Sequence, residues 1–237
     1  MEVERMFRIL KEKIPSKEIN AREKIVTFLN LYSYLSIRRK SIILENVDII
    51  YIDGFLLVKL LNLLGIKCNR KSFDMSSLAP KVFSEASEKK LSVFIIGTKP
   101  KIIDKAIANI KHNFPSLNII GYRHGYFNNQ KEREETLYKI RRLNPDIVIC
   151  GMGTPLQEEF LVDLRKMGWK GTGYTCGGFL HQTAKRINYY PKWVNKYNLR
   201  WLYRLIDEPR LWKRYFIIYP LSITVLLFDF IKYKLRR

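Results

Sequence analysis

The sequence predicts an α/β fold built on a mostly parallel, doubly wound sheet. Short apolar runs rich in β-branched residues alternate with segments of helical periodicity along most of the chain. Several of these runs are apolar almost throughout, as expected for strands that are covered on both faces. The 237 residues, of which 47% are hydrophobic and 27% charged, suffice for one large domain with a buried core. This composition excludes a disordered chain.

Six apolar runs are predicted as strands, and helical patterns separate most of them. The strands are expected over residues 24–29, 47–52, 91–96, 117–122, 146–150 and 171–176. The helices are expected over residues 55–65, 99–114, 129–144 and 155–168. Strands and helices that alternate in this way form parallel sheets. Ligands of such sheets bind beyond the carboxyl ends of the strands, so a site is expected in the loops that follow them.

The composition changes after about residue 185. Residues 185–237 contain all but one of the tryptophans and a dense set of Arg and Lys side chains. We therefore expect an α/β core over residues 1–184 and a basic, helical C-terminal appendage over residues 185–237.

The charge of the chain indicates a polyanionic partner. The net charge is +21, from 43 Lys and Arg against 22 Asp and Glu. Nucleic acid, an anionic membrane and phosphorylated substrates all fit this excess. Three widely separated cysteines without metal-ligand spacing favour reduced thiols in a cytosolic compartment. The N-terminal segment mixes acids with bases and has no apolar run of the kind that a signal peptide needs, so we expect none.

A glycine-rich turn follows the predicted strand at residues 146–150. Gly151 and Gly153 allow a close approach of the backbone to a ligand, and a following helix would point its N–H groups at a diphosphate. A purely structural interpretation is equally available. Thr154 at the N-cap, with Gln157 reaching back to it, would form a capping box. The pattern alone leaves both interpretations open.

These residues also carry a resemblance to a known family. The chain resembles the WecG/TagA/CpsF glycosyltransferases over roughly residues 20–215, through the motifs "YIDGF" (51–55), "IIGTKP" (95–100), "GYRHGYF" (121–127), "DIVICGMGTPLQEEF" (146–160), "YTCGGF" (174–179) and "YPKWVNKYNLRWLYRLIDEPRLWKRY" (190–215). The resemblance implies a Rossmann-like enzyme at the cytoplasmic face of the membrane. Such an enzyme would transfer N-acetylmannosamine or another hexose from a UDP-sugar to a polyprenyl-diphosphate-linked sugar. It would invert configuration, need no metal or other cofactor, and serve the biosynthesis of capsules, teichoic acids and related polysaccharides.

Two residues are predicted to be catalytic. An inverting transfer needs a base for the proton of the acceptor hydroxyl, and a carboxylate at the end of a strand is well placed for it. Asp53 follows a predicted strand and matches the aspartate that the family proposes as base. A simple turn before Gly54 is the alternative explanation of Asp53. Gln157 matches the active-site glutamine of the family.

A larger set is predicted, through the resemblance, to contact the nucleotide sugar. Its members are Asn30, Arg70, Gly97, Thr98, Tyr126, Gly151, Gly153, Thr154, Gly177 and Gly178. Several have a plain alternative: a surface position for Arg70, a tight turn for Gly97 and Thr98, and a core aromatic for Tyr126. Gln182 and Tyr190 replace the usual family pattern and leave the donor sugar open.

The basic appendage is predicted to bind the lipid diphosphate and the membrane. Arg204, Arg210 and Arg214 match the family's diphosphate-binding arginines, whereas Arg200 stands where glutamate is usual. Residues 215–237 form an apolar run that Pro220 and Asp229 interrupt and that basic residues end, which favours an interfacial anchor. A single tilted span and a core-packing or oligomer-forming helix are the alternatives, and a homo-oligomer stays open.

A protein of another class, a basic nucleic-acid-binding protein without catalytic activity, is the main alternative. The sequence lacks the RNP, zinc-finger, KH and basic-zipper patterns that would support it. A nicotinamide-dependent oxidoreductase is disfavoured because the first strand lacks the glycine fingerprint. We therefore expect a glycosyltransferase with UDP-sugar, polyprenyl-linked acceptor and anionic membrane as partners, and no nucleic acid.

Overall fold

A computed structural model describes residues 2–197 and 199–235 and contains one six-stranded sheet. All neighbouring strands are parallel, in the order β2-β1-β6-β5-β3-β4. The strands are β1 (Ile25–Leu29), β2 (Ile49–Ile52), β3 (Ser92–Gly97), β4 (Asn118–Arg123), β5 (Ile147–Gly151) and β6 (Thr172–Thr175). All six predicted strands and the Rossmann-like α/β class are confirmed.

Helices surround the sheet and continue beyond it. They are α1 (Glu2–Lys13), α2 (Leu31–Arg38), α3 (Ile42–Glu45), α4 (Phe55–Leu63), α5 (Leu78–Glu88), α6 (Ile102–Asn113), α7 (Gln130–Leu143), α8 (Leu156–Lys166), α9 (Phe179–Lys185), α10 (Lys192–Lys196), α11 (Arg200–Asp207) and α12 (Tyr219–Leu235). A 3₁₀ turn (Pro209–Leu211) and a π-helical turn (Arg214–Ile218) link the last two. The four predicted helices correspond to α4, α6, α7 and α8.

The sheet separates two hydrophobic cores, because successive side chains of a strand point to opposite faces. On β5, Ile147 and Ile149 pack with α5, α6 and α9, whereas Val148 and Cys150 pack with the helices of the other face. Every residue of β5 is buried. A strand covered on both faces requires this unbroken apolar run, which is the feature that made β5 recognisable in the sequence.

The strands end at a common edge. The register pairs Leu29 of β1 with Ile52 of β2, and Cys150 of β5 with Thr175 of β6. Parallel pairing therefore brings the loops after β1, β2, β5 and β6 together at the carboxyl edge of the sheet. This is the position at which open α/β sheets bind ligands.

The C-terminal helix α12 packs along the α/β core by one stripe of side chains. Its buried residues recur at helical spacing: Ser222, Leu226, Asp229 and Tyr233. The Phe7 ring of α1 lies 5.7 Å from the rings of both Phe230 and Tyr233. The opposite face of α12 exposes Leu221, Leu227, Phe228, Ile231 and Leu235. The predicted division of the chain at residues 184 and 185 stays a prediction.

The helical run that ends in α12 is longer than the sequence suggested. Pro220 and Asp229 do not interrupt it, and Pro209–Leu235 is long and apolar enough to cross a membrane by length and composition. The interfacial anchor and the single tilted span both stay predictions. Asp229 fits an apolar helix because it is buried against a counter-charge. Of the terminal basic cluster, Lys232 and Lys234 belong to α12, while Arg236 and Arg237 lie outside the described residues.

A buried ion pair fixes α12 to α2. Both oxygens of Asp229 accept from Arg38, with Nε to Oδ2 at 2.5 Å and Nη2 to Oδ1 at 2.6 Å. The Tyr34 hydroxyl donates to Oδ2 at 2.8 Å. Asp229 is fully buried, and these donors provide the hydrogen bonds that water would otherwise give its carboxylate oxygens.

Asp229→Leu should lower the free energy of unfolding by about 3 kcal/mol, because the Arg38 guanidinium loses a buried, bidentate carboxylate. Chemical denaturation measures the loss. The triple variant Asp229→Leu, Arg38→Met, Tyr34→Phe should recover most of it, because the polar groups of all three hydrogen-bonded side chains are then removed together. A single-variant loss below about 0.5 kcal/mol would mean that this pair does not hold α12.

Candidate active site

A cavity of about 710 Å³ opens at the carboxyl edge of the sheet. The loops after β1, β2, β5 and β6 line it together with the segment from α10 to α12. Ten of the predicted site residues contribute to its walls: Asn30, Asp53, Arg70, Gly153, Thr154, Gln157, Gly177, Gly178, Arg204 and Arg214. The fold therefore brings together residues that lie up to 184 positions apart, as in the hydrogen bond from Arg214 to Asn30.

Asp53 lies in the cavity directly after β2. Its backbone N–H donates to the Leu29 carbonyl at 2.7 Å, which ties the loop to the end of β1. Gly54 then adopts φ +150°, a conformation that side chains other than glycine rarely adopt. Arg70 is brought beside Asp53 because its backbone pairs with Ile52 as a short parallel bridge. The Arg70 Nη2 lies 3.5 Å from Asp53 Oδ1.

The carboxyl of Asp53 is desolvated and surrounded by charges of both signs. Burial raises the pKa of Asp53 above its ordinary value; Arg70 and Arg200 oppose this shift and Asp74 adds to it. The Asp53 side chain is 39% exposed, and the residue lines the cavity. A carboxylate of raised pKa inside a cavity is suited to accept a proton.

Gln157 joins two of the loops that form the site. Its Oε1 accepts from the Gly177 N–H at 3.2 Å, across from β5 to β6. Its Nε2 donates to Thr154 Oγ1 at 3.2 Å and to Glu158 Oε1 at 3.1 Å. Only 2% of Gln157 is exposed, although the residue reaches the cavity wall. The side chain is thus held in one orientation beside any ligand.

The predicted capping box at α8 is wrong. The helix begins at Leu156 with Pro155 at the N-cap, and no side chain caps it. The Thr154 hydroxyl instead donates to Glu158 Oε1 at 3.1 Å and accepts from the Gln157 side chain rather than from a backbone N–H of the helix. Glu158 is fully buried and also accepts from Thr27 Oγ1 at 2.7 Å. The turn after β5 is therefore organised around a buried glutamate that sequence reasoning did not single out.

Five predicted site residues do not line the cavity: Gly97, Thr98, Tyr126, Gly151 and Arg210. The first two lie against the turn after β5, since the Thr98 N–H donates to the Gly151 carbonyl at 3.0 Å. A Cβ on Gly97 would lie 2.5 Å from the Gly151 oxygen, so this approach requires glycine. Tyr126 is 57% exposed rather than a core aromatic. Gly97, Thr98 and Gly151 form a neighbouring stretch of the same sheet edge, where β3 and β5 end.

Two of the three predicted lipid-diphosphate arginines face the cavity. Arg214 donates to Asn30 Oδ1 at 3.1 Å, and Arg204 lies 3.5 Å from Glu208 Oε1. The Nε atoms of Arg204 and Arg214 are buried and have no hydrogen-bond partner among the described residues. Arg210 is different, because its side chain is 67% exposed and pairs with Glu208 at 2.9 Å.

Aromatic side chains from the C-terminal segment complete the cavity wall. Those that line it are Tyr190, Tyr197, Trp201, Tyr215, Phe216 and Tyr219. The sequence showed that the C-terminal segment is rich in aromatic residues. It did not show that these side chains point into the cavity, because that depends on how α10, α11 and the π turn pack against the sheet. Asp74 and Arg200 also line the cavity, and neither was among the predicted site residues.

A carboxylate inside a cavity, with guanidinium groups facing it at the carboxyl edge of a parallel sheet, is the arrangement expected of an enzyme for phosphorylated substrates. Comparison with known families specifies the class. The model of the glycosyl transferase WecG/TagA/CpsF family matches residues 3–237, and the chain belongs to this family.

Three relatives are named for the same acceptor, N-acetylglucosamine on diphosphoundecaprenol. The chain is 41% identical over 201 residues, 84% of both chains, to a UDP-Gal:alpha-D-GlcNAc-diphosphoundecaprenol beta-1,4-galactosyltransferase of Shigella boydii. It is similar to N-acetylglucosaminyldiphosphoundecaprenol N-acetyl-beta-D-mannosaminyltransferases of Bacillus subtilis (33% over 141 residues, 60% of this chain and 54% of that protein) and Bacillus spizizenii (28% over 191 residues, 80% and 72%). The protein is a glycosyltransferase, and a non-catalytic nucleic-acid-binding role is set aside.

Glu158→Gln tests whether the buried glutamate resists ionisation. Burial raises the pKa of Glu158, and hydrogen bonds from Thr27, Gln157 and Thr154 only partly offset this. A group whose pKa is higher in the folded state than in the unfolded state stabilises the folded protein at low pH. This stabilisation is lost as the pH rises through the folded-state pKa. The midpoint temperature of the variant minus that of the native protein should therefore increase as pH rises from about 4 to about 8.

Thermal unfolding across this pH range measures the difference, with Glu88→Gln at an exposed position as the control. A difference that does not change with pH would mean that Glu158 binds its proton equally in the folded and unfolded states.

Proposed function

We propose that the protein transfers a hexose, galactose foremost, from a UDP-sugar to N-acetylglucosamine on undecaprenyl diphosphate, with inversion and without a metal. The observation that carries the proposal is the combination of a desolvated Asp53 with two cavity-facing arginines, Arg204 and Arg214, whose buried Nε groups are unpartnered among the described residues. Such guanidinium groups suit the oxygens of a diphosphate.

The reaction needs one proton acceptor. The acceptor hydroxyl oxygen forms a bond to the anomeric carbon, the bond from that carbon to the UDP phosphate oxygen breaks, and UDP leaves with the electron pair. Asp53 takes the hydroxyl proton, which its raised pKa favours. The β linkage in the relatives' names is what inversion of an α-linked nucleotide sugar gives. Gln157, oriented by Thr154 and Glu158, would contact the substrate from the β5 loop.

The relatives support the acceptor more firmly than the donor. All three names specify N-acetylglucosamine on diphosphoundecaprenol, whereas the donor sugar is galactose in one and N-acetylmannosamine in two. The galactosyltransferase has the higher identity and coverage, so we place UDP-galactose first. The other donor-site residues of this proposal are Asn30, Arg70, the glycine turns and the stretch with Gly97, Thr98 and Tyr126.

A lipid acceptor requires that the enzyme work at a membrane. Large apolar side chains are exposed on the C-terminal segment beside the cavity, among them Trp201, Ile206, Trp212, Phe216 and Phe228. Lys213 and Lys232 lie over Trp212 and Phe228. Aromatic and basic side chains in this mixture suit the headgroup region, and we propose peripheral association at the cytoplasmic face.

The proposal is tested by a transfer assay. Purified protein is incubated with UDP-galactose, UDP-N-acetylmannosamine or UDP-glucose, each with and without an N-acetylglucosaminyl-diphospho-lipid analogue, and with and without EDTA. Released UDP and lipid product are measured. Acceptor-dependent, EDTA-resistant transfer from UDP-galactose is expected. Transfer from UDP-N-acetylmannosamine alone would contradict the donor assignment, and complete loss with EDTA would contradict metal independence.

Asp53→Asn should reduce kcat by about 10²- to 10⁴-fold, the usual contribution of a general base. The midpoint temperature should stay equal or rise, because at neutral pH the native protein holds a desolvated charge that the amide removes. Asp104→Asn, at an exposed position of α6, is the matched control and should keep full activity. An active Asp53→Asn enzyme would show that another group accepts the proton.

Arg214→Gln should raise the KM for the lipid acceptor on the order of tenfold, with a smaller effect on the UDP-sugar, because it removes a cavity-facing guanidinium. Arg210→Gln should have a smaller effect, since Arg210 is exposed and engaged by Glu208. Steady-state kinetics with each substrate varied decides this. Equal losses in the two variants would show that Arg210 also binds the diphosphate.

A further inference from the structure

Four charged side chains alternate in sign along one wall of the cavity. Arg70 Nη2 lies 3.5 Å from Asp53 Oδ1 and 4.0 Å from Asp74 Oδ2, and Arg200 Nη1 lies 2.7 Å from Asp74 Oδ2. The two carboxylates and two guanidinium groups sum to zero charge. Three of the residues belong to the segment around β2, and Arg200 is the first residue of α11.

Asp74 is fully engaged without Arg70. Its Oδ2 accepts from Ser72 Oγ at 2.6 Å and from Arg200 Nη1 at 2.7 Å. Its Oδ1 accepts from the Ser76 N–H at 2.8 Å and from Ser76 Oγ at 2.5 Å. Arg70, at 4.0 Å, is beyond hydrogen-bonding distance. The carboxylate is therefore satisfied mainly by the cation from α11.

Arg70 is correspondingly loosely held. Its Nη2 donates to Ser72 Oγ at 3.3 Å and to Asp53 Oδ1 at 3.5 Å. Charge-assisted hydrogen bonds between nitrogen and carboxylate oxygen are usually about 2.7–2.9 Å long. A guanidinium that is 25% exposed, lines the cavity and makes only long contacts is available to an incoming anion.

Arg200 is firmly placed by contacts other than its ion pair. Its Nε donates to Asn195 Oδ1 at 2.6 Å, its Nη2 donates to Ser76 Oγ, and its guanidinium lies 4.7 Å from the centre of the Tyr190 ring. Only 14% of the side chain is exposed. The site thus holds this cation in place without a ligand.

We propose that Arg200 is a positioning residue: by neutralising Asp74 it leaves Arg70 free to bind the substrate diphosphate beside Asp53. Without Arg200, the largely buried Asp74 would draw Arg70 across the 4.0 Å gap and away from the substrate. Because Arg200 is the first residue of α11, the position of α11 determines whether this positive charge lies beside Asp74. The inference rests on the proposed function, since it assumes a diphosphate at Arg70.

The electrostatics agree in sign with this geometry. The groups that act on Asp53 are Arg70, Asp74 and Arg200, with Tyr190 and Tyr215 also in range. Asp74 raises and Arg200 lowers the pKa of Asp53. Removal of Arg200 should therefore move the acid limb of the pH–rate profile to higher pH, because the base then keeps its proton longer. Removal of the Asp74 charge should move it to lower pH.

The test compares Arg200→Gln, Asp74→Asn and the double variant with the native enzyme, and Arg142→Gln on the exposed surface of α7 is the control. Thermal unfolding identifies a temperature at which every variant is folded. Three quantities are then measured: kcat/KM for transfer, the Kd for UDP by calorimetry, and the acid limb of the pH–rate profile.

Arg200→Gln should lower kcat/KM and UDP affinity on the order of tenfold, and the added Asp74→Asn should restore most of both. A double variant as impaired as Arg200→Gln would overturn the proposal and make Arg200 a direct substrate contact. The proposal would also be overturned if Asp74→Asn alone were as damaging as Arg200→Gln and the double variant lost no more activity. The ion pair would then serve only to anchor α11. If the native protein transfers no sugar, the proposed function fails, and the UDP affinities alone decide the role of Arg200.

Discussion

The desolvated carboxylate of Asp53 is the constraint on which the rest of the site depends. A carboxylate partly withdrawn from water at the end of a parallel strand destabilises the fold unless cations oppose the burial, and the same burial raises the pKa of Asp53. Arg70 and Arg200 provide the opposing charge; Arg70 pairs by its backbone with the end of β2, and Arg200 is the first residue of α11. The α/β sheet fixes the position of Asp53, the proposed base, and Arg200 of the C-terminal helices lowers the pKa of its carboxyl.

The C-terminal segment has two physical roles that meet at the cavity. One stripe of α12 packs on α1 and α2, where the Asp229–Arg38 pair holds it, and the other face stays apolar and exposed. The preceding α11 and π turn supply Arg204 and Arg214 to the cavity wall. The exposed apolar surface therefore lies next to the guanidinium groups of the cavity. In a polyprenyl-linked acceptor the lipid chain is likewise attached directly to the diphosphate.

Most of the sheet was predictable because strands covered on both faces must be apolar throughout, as β3 and β5 are. The site was predictable where a residue type and a strand end coincide, as at Asp53. Side-chain networks that cross the fold were not predictable. Thr154 appeared to be a helix cap, but its hydroxyl is committed to the buried Glu158. The interruption expected at Asp229 is absent, because the carboxylate is paired with Arg38. That partner lies 191 residues away, so the local sequence around Asp229 gives no sign of it.

The central claim is that sugar transfer takes place in this cavity with Asp53 beside the acceptor hydroxyl. The most direct test is a crystal structure of the enzyme with UDP and a soluble N-acetylglucosaminyl-diphospho-lipid analogue. We expect an acceptor hydroxyl within about 2.6–3.2 Å of the Asp53 carboxylate. We also expect the acceptor diphosphate on Arg204 and Arg214, and UDP along the edge from Arg70 to Gly153. An acceptor bound with its hydroxyl away from Asp53, or a diphosphate outside the cavity, would contradict Asp53 as the base and this cavity as the site of transfer.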